Sequence, residues 1–484
     1  MSVKSRANMT GRKVIYTDVD TITAENVVDV LKIAVITHAF NRDAIDFLYE
    51  YNNGNQPILQ RVKEVRPEIN NKIVVNRANE ITSFKVGYLL GEPIQYVSRD
   101  SEKNDLTDKI TQLNEFMYAE DKAAKDKELA DWFTICGTAY RMVLPKQVVD
   151  DSPFYIFTLD PRQTFVVYYN GLGNKPVMGV KYVERNDGKV VFSVYTEKEY
   201  FEIVDFEIVK QEAHILGAIP IVEYPANNAR LGAFEVVLPL LDAYNLAVSD
   251  RMNGLEQFIQ SLIKFVNVDI TEEEFEKLKE LGGIKFKSTS ENPADVDYLT
   301  PELNQTNTQT ILSDMYQTIL TICGMPNRNG GSSTSDTGSA VIMRDGWEVA
   351  EAKAKDTEQM FKRSEKATLR LALKICQTFA KLDLKVMDID LRFTRRNYEN
   401  ISNKSTVLTQ MLGSGKIHPK LAFQHCGMFA DAELAYKISK EYAEEQEKKM
   451  QEQQAKQLAA QKGGGTGNDG NGNGKKNEPT EPTE

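Results

Sequence analysis

PLLDAYNLAVSDRMNGLEQFIQSLIKF, residues Pro239–Phe265, is the stretch on which the fold turns. Leu241, Tyr244, Val248, Leu255, Phe258 and Leu262 recur at the spacing of one helix face. Twenty-seven helical residues span ~40 Å. The next residues change period. Phe265–Asp269 reads as a strand, and Thr271 with Glu274 as a capping box opening the helix TEEEFEKLKEL. Gly282-Gly283 ends that helix, and IKFK at 284–287 reads as a second strand. Thr300-Pro301 then starts another long helix, as an N-cap followed by proline at the first helical position. Its apolar stripe is Leu312, Met315, Ile319 and Ile322. The pattern predicts an antiparallel helix pair with a small α/β insert at its tip. Such a pair has little core of its own, and identical neighbours in a cyclic assembly would cover its stripes.

Upstream, Thr23 is placed as the N-cap of a helix ending at Asn52-Asn53-Gly54, and a second helix runs from about Asn76 to Leu90. A third, rich in charge, runs from about Ser101 to Cys136. Between Arg141 and Tyr224 the period shortens. FYIFTL, TFVVYY, VMGVKYVE, KVVFSVYT and YFEIVDFEIV are β-branched and aromatic runs parted by turn signals, and they predict an antiparallel meander. Downstream, GMPNRNGGSSTSDTGS (324–339) is a polar loop, and a very long helix follows over Ala340–Leu382. One strand, DIDLRFTRR, precedes a helical block from Glu399 to about Gln461. The glycine- and asparagine-rich tail after it cannot form a core. The fold class is α+β and mainly helical.

The formal net charge of -11 argues against a protein that grips DNA, because tight phosphate binding needs clustered cations. It does not oppose a protein that surrounds DNA and lets it slide. Of the residues, 41% are hydrophobic, enough for a real core, yet no run approaches the ~20 apolar residues of a membrane span. No apolar signal core follows the basic N-terminus, so a soluble protein made and used in a cytosol is expected. Cys136, Cys323, Cys376 and Cys426 stand singly. His418, His425 and Cys426 lack a fourth ligand at zinc spacing, so no metal site is assigned. Gly413-Ser414-Gly415-Lys416 ends like a phosphate loop but has Gln410 and Ile417 where glycine and a hydroxyl residue belong, so it reads as a helix–helix turn. No catalytic constellation and no cofactor motif is assigned.

Six strings, in order, resemble the portal proteins of tailed bacteriophages of the SPP1 type. They are YNNGNQPILQ (51–60), NNKIVVNRANEITSFKVGYLLGEPIQY (70–96), KELADWFTICGTAYRMVLP (127–145), IPIVEYPANNARLGAFEVVLPLLDAYNLAVSD (219–250), TGSAVIMRDGWEVAEAKAKDTEQMF (337–361) and RFTRRNYENISNKSTVLTQMLGSGKIHPKLAFQH (392–425). Each is degenerate alone; their order is the specific part.

The resemblance implies a portal fold. Residues 1–22 would be a flexible N-terminal arm, and 23–238 an α+β wing completed by a strand at 386–398. The two-helix stem would be 239–266 and 301–323, with the clip at 267–300. The tunnel loop would be 324–339, the long helix of the wing 340–385, the crown helices 399–461 and a disordered tail 462–484. A cyclic ring, usually a dodecamer, would sit at one capsid vertex of the virion, after assembly in the host cytoplasm. Its partners would be double-stranded DNA (touched transiently and weakly), the terminase large subunit, a head-completion or adaptor protein, and the major capsid and scaffolding proteins. The DNA-facing residues would be Asn329, Gly330, Gly331, Ser332, Ser333, Thr334, Ser335, Asp336 and Thr337. Partner docking would fall on Glu272, Glu273, Glu274, Lys285 and Lys287 of the clip. The alternative is a structural scaffold or oligomeric assembly protein with no DNA role; an enzyme of unfamiliar type is disfavoured by the failed motif search.

Overall fold

The computed structural model describes residues 11–99, 104–147, 150–259, 262–267, 271–273, 276, 293–299, 305–327, 346–395, 401–429 and 432–462. It divides into two units, Met1–Glu399 and Asn400–Glu484.

The strand-rich stretch of the first unit forms two sheets rather than one meander. Strands β5 (Thr164–Tyr169), β6 (Pro176–Glu184), β7 (Val190–Tyr195), β8 (Glu199–Val204) and β9 (Glu207–Ala213) do run as an antiparallel meander. Strands β3 (Thr138–Pro145) and β4 (Phe154–Leu159) instead pair with β10 (Ile221–Pro225) in a separate sheet ordered β10-β3-β4. Alternation identifies strands but not their partners. The two sheets approach at Gly179 of β6, where an added Cβ would lie 2.7 Å from Ile219 Cγ2.

Of the expected flexible arm, 1–22, residues 1–10 lie outside the described residues, and residues 11–22 are held at the edge of the larger sheet. Strand β1 (Ile15–Thr17) pairs parallel with β5, Ile15 opposite Val167. Ahead of it, the buried Arg12 guanidinium donates to the Cys136 carbonyl (3.0 Å) and pairs with Glu235 at 2.5 Å. Ile15–Thr17 is therefore a strand integral to the sheet, and Arg12 ahead of it is anchored.

Helix α1 (Val27–Asn52) starts later than Thr23, because the Asn26 side chain accepts the Thr23 N–H at 2.9 Å and holds those residues in a turn. Helix α2 (Arg77–Leu89) begins as expected, with the Asn76 side chain accepting from the Asn79 N–H. The third predicted helix is two, α3 (Asn104–Ala119) and α4 (Lys122–Cys136), broken where Asp121 turns left-handed. The break lets the buried Glu120 carboxylate accept from the Ile156 N–H (3.0 Å) and the Ser152 hydroxyl (2.9 Å). Gly137, at φ +80°, ends α4 where an added Cβ would lie 2.0 Å from the Arg230 carbonyl oxygen.

Strand β2 (Gln95–Ser98) pairs with β13 (Ile389–Arg392), which is shorter than the 386–398 strand expected. Between them in sequence lie helices α5 (Leu238–Ile259), α6 (Gln305–Cys323) and α7 (Trp347–Phe379). The long helix thus stops before 385: the Ala380 N–H bonds to Cys376, and Lys381 turns to φ +54°. Residues 340–345 lie outside the described residues. One face of α7, with Leu369, Ala372, Ile375 and Cys376, is buried with Val143, Phe154 and Ile156 of the smaller sheet and Tyr96 of β2.

The second unit contains α8 (Ile401–Gly413), α9 (Pro419–Cys426) and α10 (Ala432–Lys462). The turn at 414–417 joins α8 to α9, as read from the sequence. Ala422, Phe423 and Cys426 of α9 are buried with Ala432, while Leu434, Ile438 and Tyr442 of α10 are exposed.

Candidate functional site

Helix α5 departs from the expectation at its C-terminus. It ends at Ile259, and Leu262–Val266, expected as helix to Phe265, form strand β11. That strand pairs antiparallel with β12 (Asp295–Leu299), Lys264 opposite Asp297. The partner of β11 is therefore not the IKFK run, which lies outside the described residues.

Helices α5 and α6 are antiparallel. Leu241, early in α5, shares a core with Ile319 and Leu320, late in α6. At the other end the Arg251 guanidinium donates to Gln309 at 2.7 Å. The pair still leaves Leu246, Met252 and Leu255 of α5 exposed, with Ile311 and Ile322 of α6.

The root of the pair is held by a ladder of polar side chains. Asn245, Ser249 and Asn253 follow one another at four-residue spacing on α5, and all three are buried. They accept the backbone N–H groups of Val75 (2.9 Å), Ile73 (3.0 Å) and Asn71 (2.7 Å). Four helical residues advance about 6 Å and two extended residues about 6.6 Å, so the two series stay in step. Asn245 also donates to Gln56 at 2.5 Å. Next to the ladder, the Arg77 guanidinium lies 3.9 Å from the Tyr316 ring centre of α6, and Glu80 accepts from Arg77 (2.6 Å) and the Tyr316 hydroxyl (2.7 Å).

The segment between α6 and α7 has both described ends held. Met325, just past α6, is buried and donates its N–H to the Leu320 carbonyl at 2.8 Å. Trp347, first in α7, packs on Phe84 and Tyr88 at 6.1 and 6.0 Å between ring centres. Lys353 Nζ donates to the Ile322 carbonyl at 2.8 Å, tying the start of α7 to the end of α6.

Further along α7, Glu365 sits in a buried charge cluster. Its oxygens meet Lys122 Nζ (3.1 Å), Arg141 Nη1 (3.2 Å) and the hydroxyls of Tyr96 (2.7 Å) and Tyr224 (2.6 Å). Asp126 balances the cations, 2.6 Å from Lys122 and 2.7 Å from Arg141. Burial alone would raise the Glu365 carboxyl, but Lys122, Arg141 and the two hydroxyls outweigh it and hold it down at about 2. Two cations and two carboxylates with these partners are a fastening device. Lys122–Asp126 looks, in sequence, like an ordinary surface pair at i,i+4, so only the fold reveals the cluster.

Of the residues singled out from the sequence, Glu272 and Glu273 are described and exposed. Glu274, Lys285, Lys287 and the whole run Asn329–Thr337 lie outside the described residues. Among the described residues no group of His, Cys, Asp or Glu is placed to hold a metal ion. All four thiols are buried, and burial pushes Cys376 up to about 12 and Cys323 up to about 11, away from nucleophilic use. Among the described residues no helix is long and apolar enough to cross a membrane.

Residues 34–457 match the model of a protein family described as phage portal protein, SPP1 Gp6-like. No curated protein matches the chain. Among solved structures, a chain of "Neck of empty GTA particle computed with C6 symmetry" is similar at 10% identity over 72% of this chain and 90% of its own, with a TM-score of 0.42.

Proposed function

The chain belongs to the SPP1 Gp6-like family of phage portal proteins, and from that membership we propose that it forms a ring at one capsid vertex through which double-stranded DNA is packaged and later ejected. In this reading the two sheets with α1–α4 and α7 are the wing. Helices α5 and α6 are the stem, residues 267–300 the clip, 324–339 the tunnel loop and α8–α10 the crown. The work on DNA is mechanical and belongs to a packaging ATPase docked on the ring. The terminase large subunit, then a head-completion protein, would dock on the clip through residues such as Glu272, Glu273, Glu274, Lys285 and Lys287. The major capsid and scaffolding proteins would surround the wing.

The observation that carries this reading is the antiparallel pair α5–α6, rooted in buried polar contacts yet exposing Leu246, Met252, Leu255, Ile311 and Ile322. Neighbouring copies around a closed ring, a dodecamer in this reading, would cover those side chains, since a head-to-tail contact that closes makes a ring. The test is native mass spectrometry with negative-stain imaging of the purified full chain. Closed rings with a central hole are expected. A stable monomer at every concentration would reject the proposal.

A further inference from the structure

Helix α7 turns one face to solvent beyond its midpoint, and from Arg363 to Lys374 every exposed residue on it is cationic. Arg363, Lys366, Arg370 and Lys374 follow at spacings of three, four and four residues, and all are exposed. Ser364, Glu365, Thr368, Leu369, Ala372 and Cys376 fill the buried side. Eleven residues of helix make a stripe about 16 Å long. Among the described residues, none of the four cations makes an ion pair or a side-chain hydrogen bond. Other cations of α7 do have acidic partners, as Lys362 with Glu358 at 2.7 Å and Lys355 with Glu351 at 3.7 Å. The stripe is therefore a local exception in a chain of net charge -11.

The stripe also borders concave surface. A groove of about 870 Å³ runs along Arg363, Arg370 and Lys374 on one side, and one of about 630 Å³ along Lys366, Arg370 and Lys374 on the other. Arg99 and Lys385 extend the positive lining of the second. Three carboxylates also line these grooves, Glu197 and Glu223 the first and Asp390 the second; Glu223 lies 2.6 Å from Arg230 and Asp390 3.6 Å from Arg392.

A protein partner and a nucleic acid make different demands of such a face. The centre of a protein interface is apolar and aromatic, and depleted of lysine. Here the exposed row has no apolar residue between Arg363 and Lys374. Phosphate recognition needs only a row of cations with amides beside it. Asn174, Asn227 and Asn228 supply amides along the first groove. The absence of aromatics from the row argues against stacked, single-stranded bases.

We propose that the Arg363–Lys374 face of α7, which belongs to neither the α5–α6 pair nor the 324–339 segment, is a phosphate-backbone docking surface for double-stranded DNA. The choice of duplex DNA as the polyanion rests on the portal reading; the cationic stripe does not. Neutralising four phosphates gives a salt slope of about 0.9 per contact, hence on the order of -3 to -4 in log K against log salt. Binding is then weak at physiological salt and does not hold DNA fast.

The test uses the full chain and a labelled 30-base-pair duplex, with fluorescence anisotropy from low to high salt. Wild type should show the steep slope. The variant Arg363→Gln/Lys366→Gln/Arg370→Gln/Lys374→Gln should lose most of it and bind about ten-fold or more weakly at low salt, with rings unchanged in negative stain. If the fourfold variant does not fold, the pairs Arg363→Gln/Lys366→Gln and Arg370→Gln/Lys374→Gln should each remove about half of the slope, and Arg363→Lys/Arg370→Lys should keep it. An unchanged slope and affinity would overturn the proposal. So would loss of rings in the variant, which would assign the face to a second copy of the chain, or equal competition by polyglutamate, which would assign it to an acidic protein. If wild type forms no rings but the stripe-dependent slope is found, the portal reading falls and the docking surface stands.

Discussion

Arg141 of β3 and Glu365 of α7 meet at 3.2 Å with both side chains withdrawn from solvent, although 224 residues separate them in the chain. The pair joins the smaller sheet to the helix that follows the segment 328–345. It is fastened further by Lys122, Asp126, Tyr96 and Tyr224. A force applied to the start of α7 is therefore passed to the sheet through a charged joint, in addition to apolar packing.

Breaking that joint should cost more than any surface pair. Glu365→Gln leaves Lys122 and Arg141 buried with one carboxylate between them, and a loss of about 3–5 kcal/mol is expected. Chemical denaturation of the full chain measures it, with Lys355→Gln, which breaks the pair of exposed Lys355 with Glu351 on the same helix, as the control. The same carboxylate sets an acid limit. Its pKa is depressed from 4.5 to about 2 in the folded state, so its contribution is fully present above about pH 4.5 and is lost as pH falls towards 2. The wild-type midpoint should drop across that window, and the Glu365→Gln midpoint should drop less.

The segment around Arg12 makes a second prediction. Arg12 and Glu235 are each about 1% exposed, so Arg12→Ala strands a buried carboxylate. A loss of about 3 kcal/mol or more is expected, together with faster amide exchange in β1 and at Cys136. A loose arm would instead tolerate Arg12→Ala with no change in the thermal midpoint, and that result would remove β1 from the fold.

Legibility in the sequence followed the range of the interactions. The helix pair was readable because Leu241, Tyr244 and Val248 repeat at a local period. The end of α5 was not, because Leu255, Phe258 and Leu262 keep that period. What converts Leu262–Val266 into a strand is pairing with Asp295–Leu299, about thirty residues on. Strand β1 is three residues long, too short for alternation to register, and its partner Val167 is distant. Placing α7 as an extended helix needed only its charge pairs and apolar face. Its meeting with Lys122 and Arg141 needed the whole topology. The cationic row at 363, 366, 370 and 374 was open to inspection from spacing alone, and a search for catalytic motifs passes over it.

The ladder on α5 predicts a local signature in hydrogen exchange. Ser249→Ala removes the acceptor of the Ile73 N–H and leaves a buried donor unpaired, at about 1–3 kcal/mol. The Ile73 amide should exchange faster, and the neighbouring amides of Asn71 and Val75 should follow, since their acceptors share the helix face. Exchange read by mass spectrometry over residues 70–76 checks this. Unchanged protection there, with Ser249→Ala folded, would mean that the segment is held by other contacts and that the ladder is incidental.

The segment between α6 and α7 should be separable from assembly. Its ends are fixed independently of its middle. Met325 is buried, Trp347 packs on Phe84 and Tyr88, and Lys353 bonds across to Ile322. The middle, Asn329–Thr337, lies outside the described residues and contains no apolar side chain, so removing part of it takes nothing from a hydrophobic core. In the portal reading, its hydroxyls and backbone N–H groups would make brief contact with phosphates, and its glycines would let the backbone adapt as a helical duplex passes. Deleting Gly331–Ser335 should leave the thermal midpoint and the rings as in wild type, while DNA packaging or retention in assembled particles falls at least ten-fold. Lys353→Ala should act differently: it frees the junction of α6 and α7, so stability falls by about 1 kcal/mol, and the thermal midpoint with it, even with the segment intact. Wild-type packaging and retention in the deletion variant would remove the segment from the DNA path, and loss of rings would make it part of the assembly interface instead.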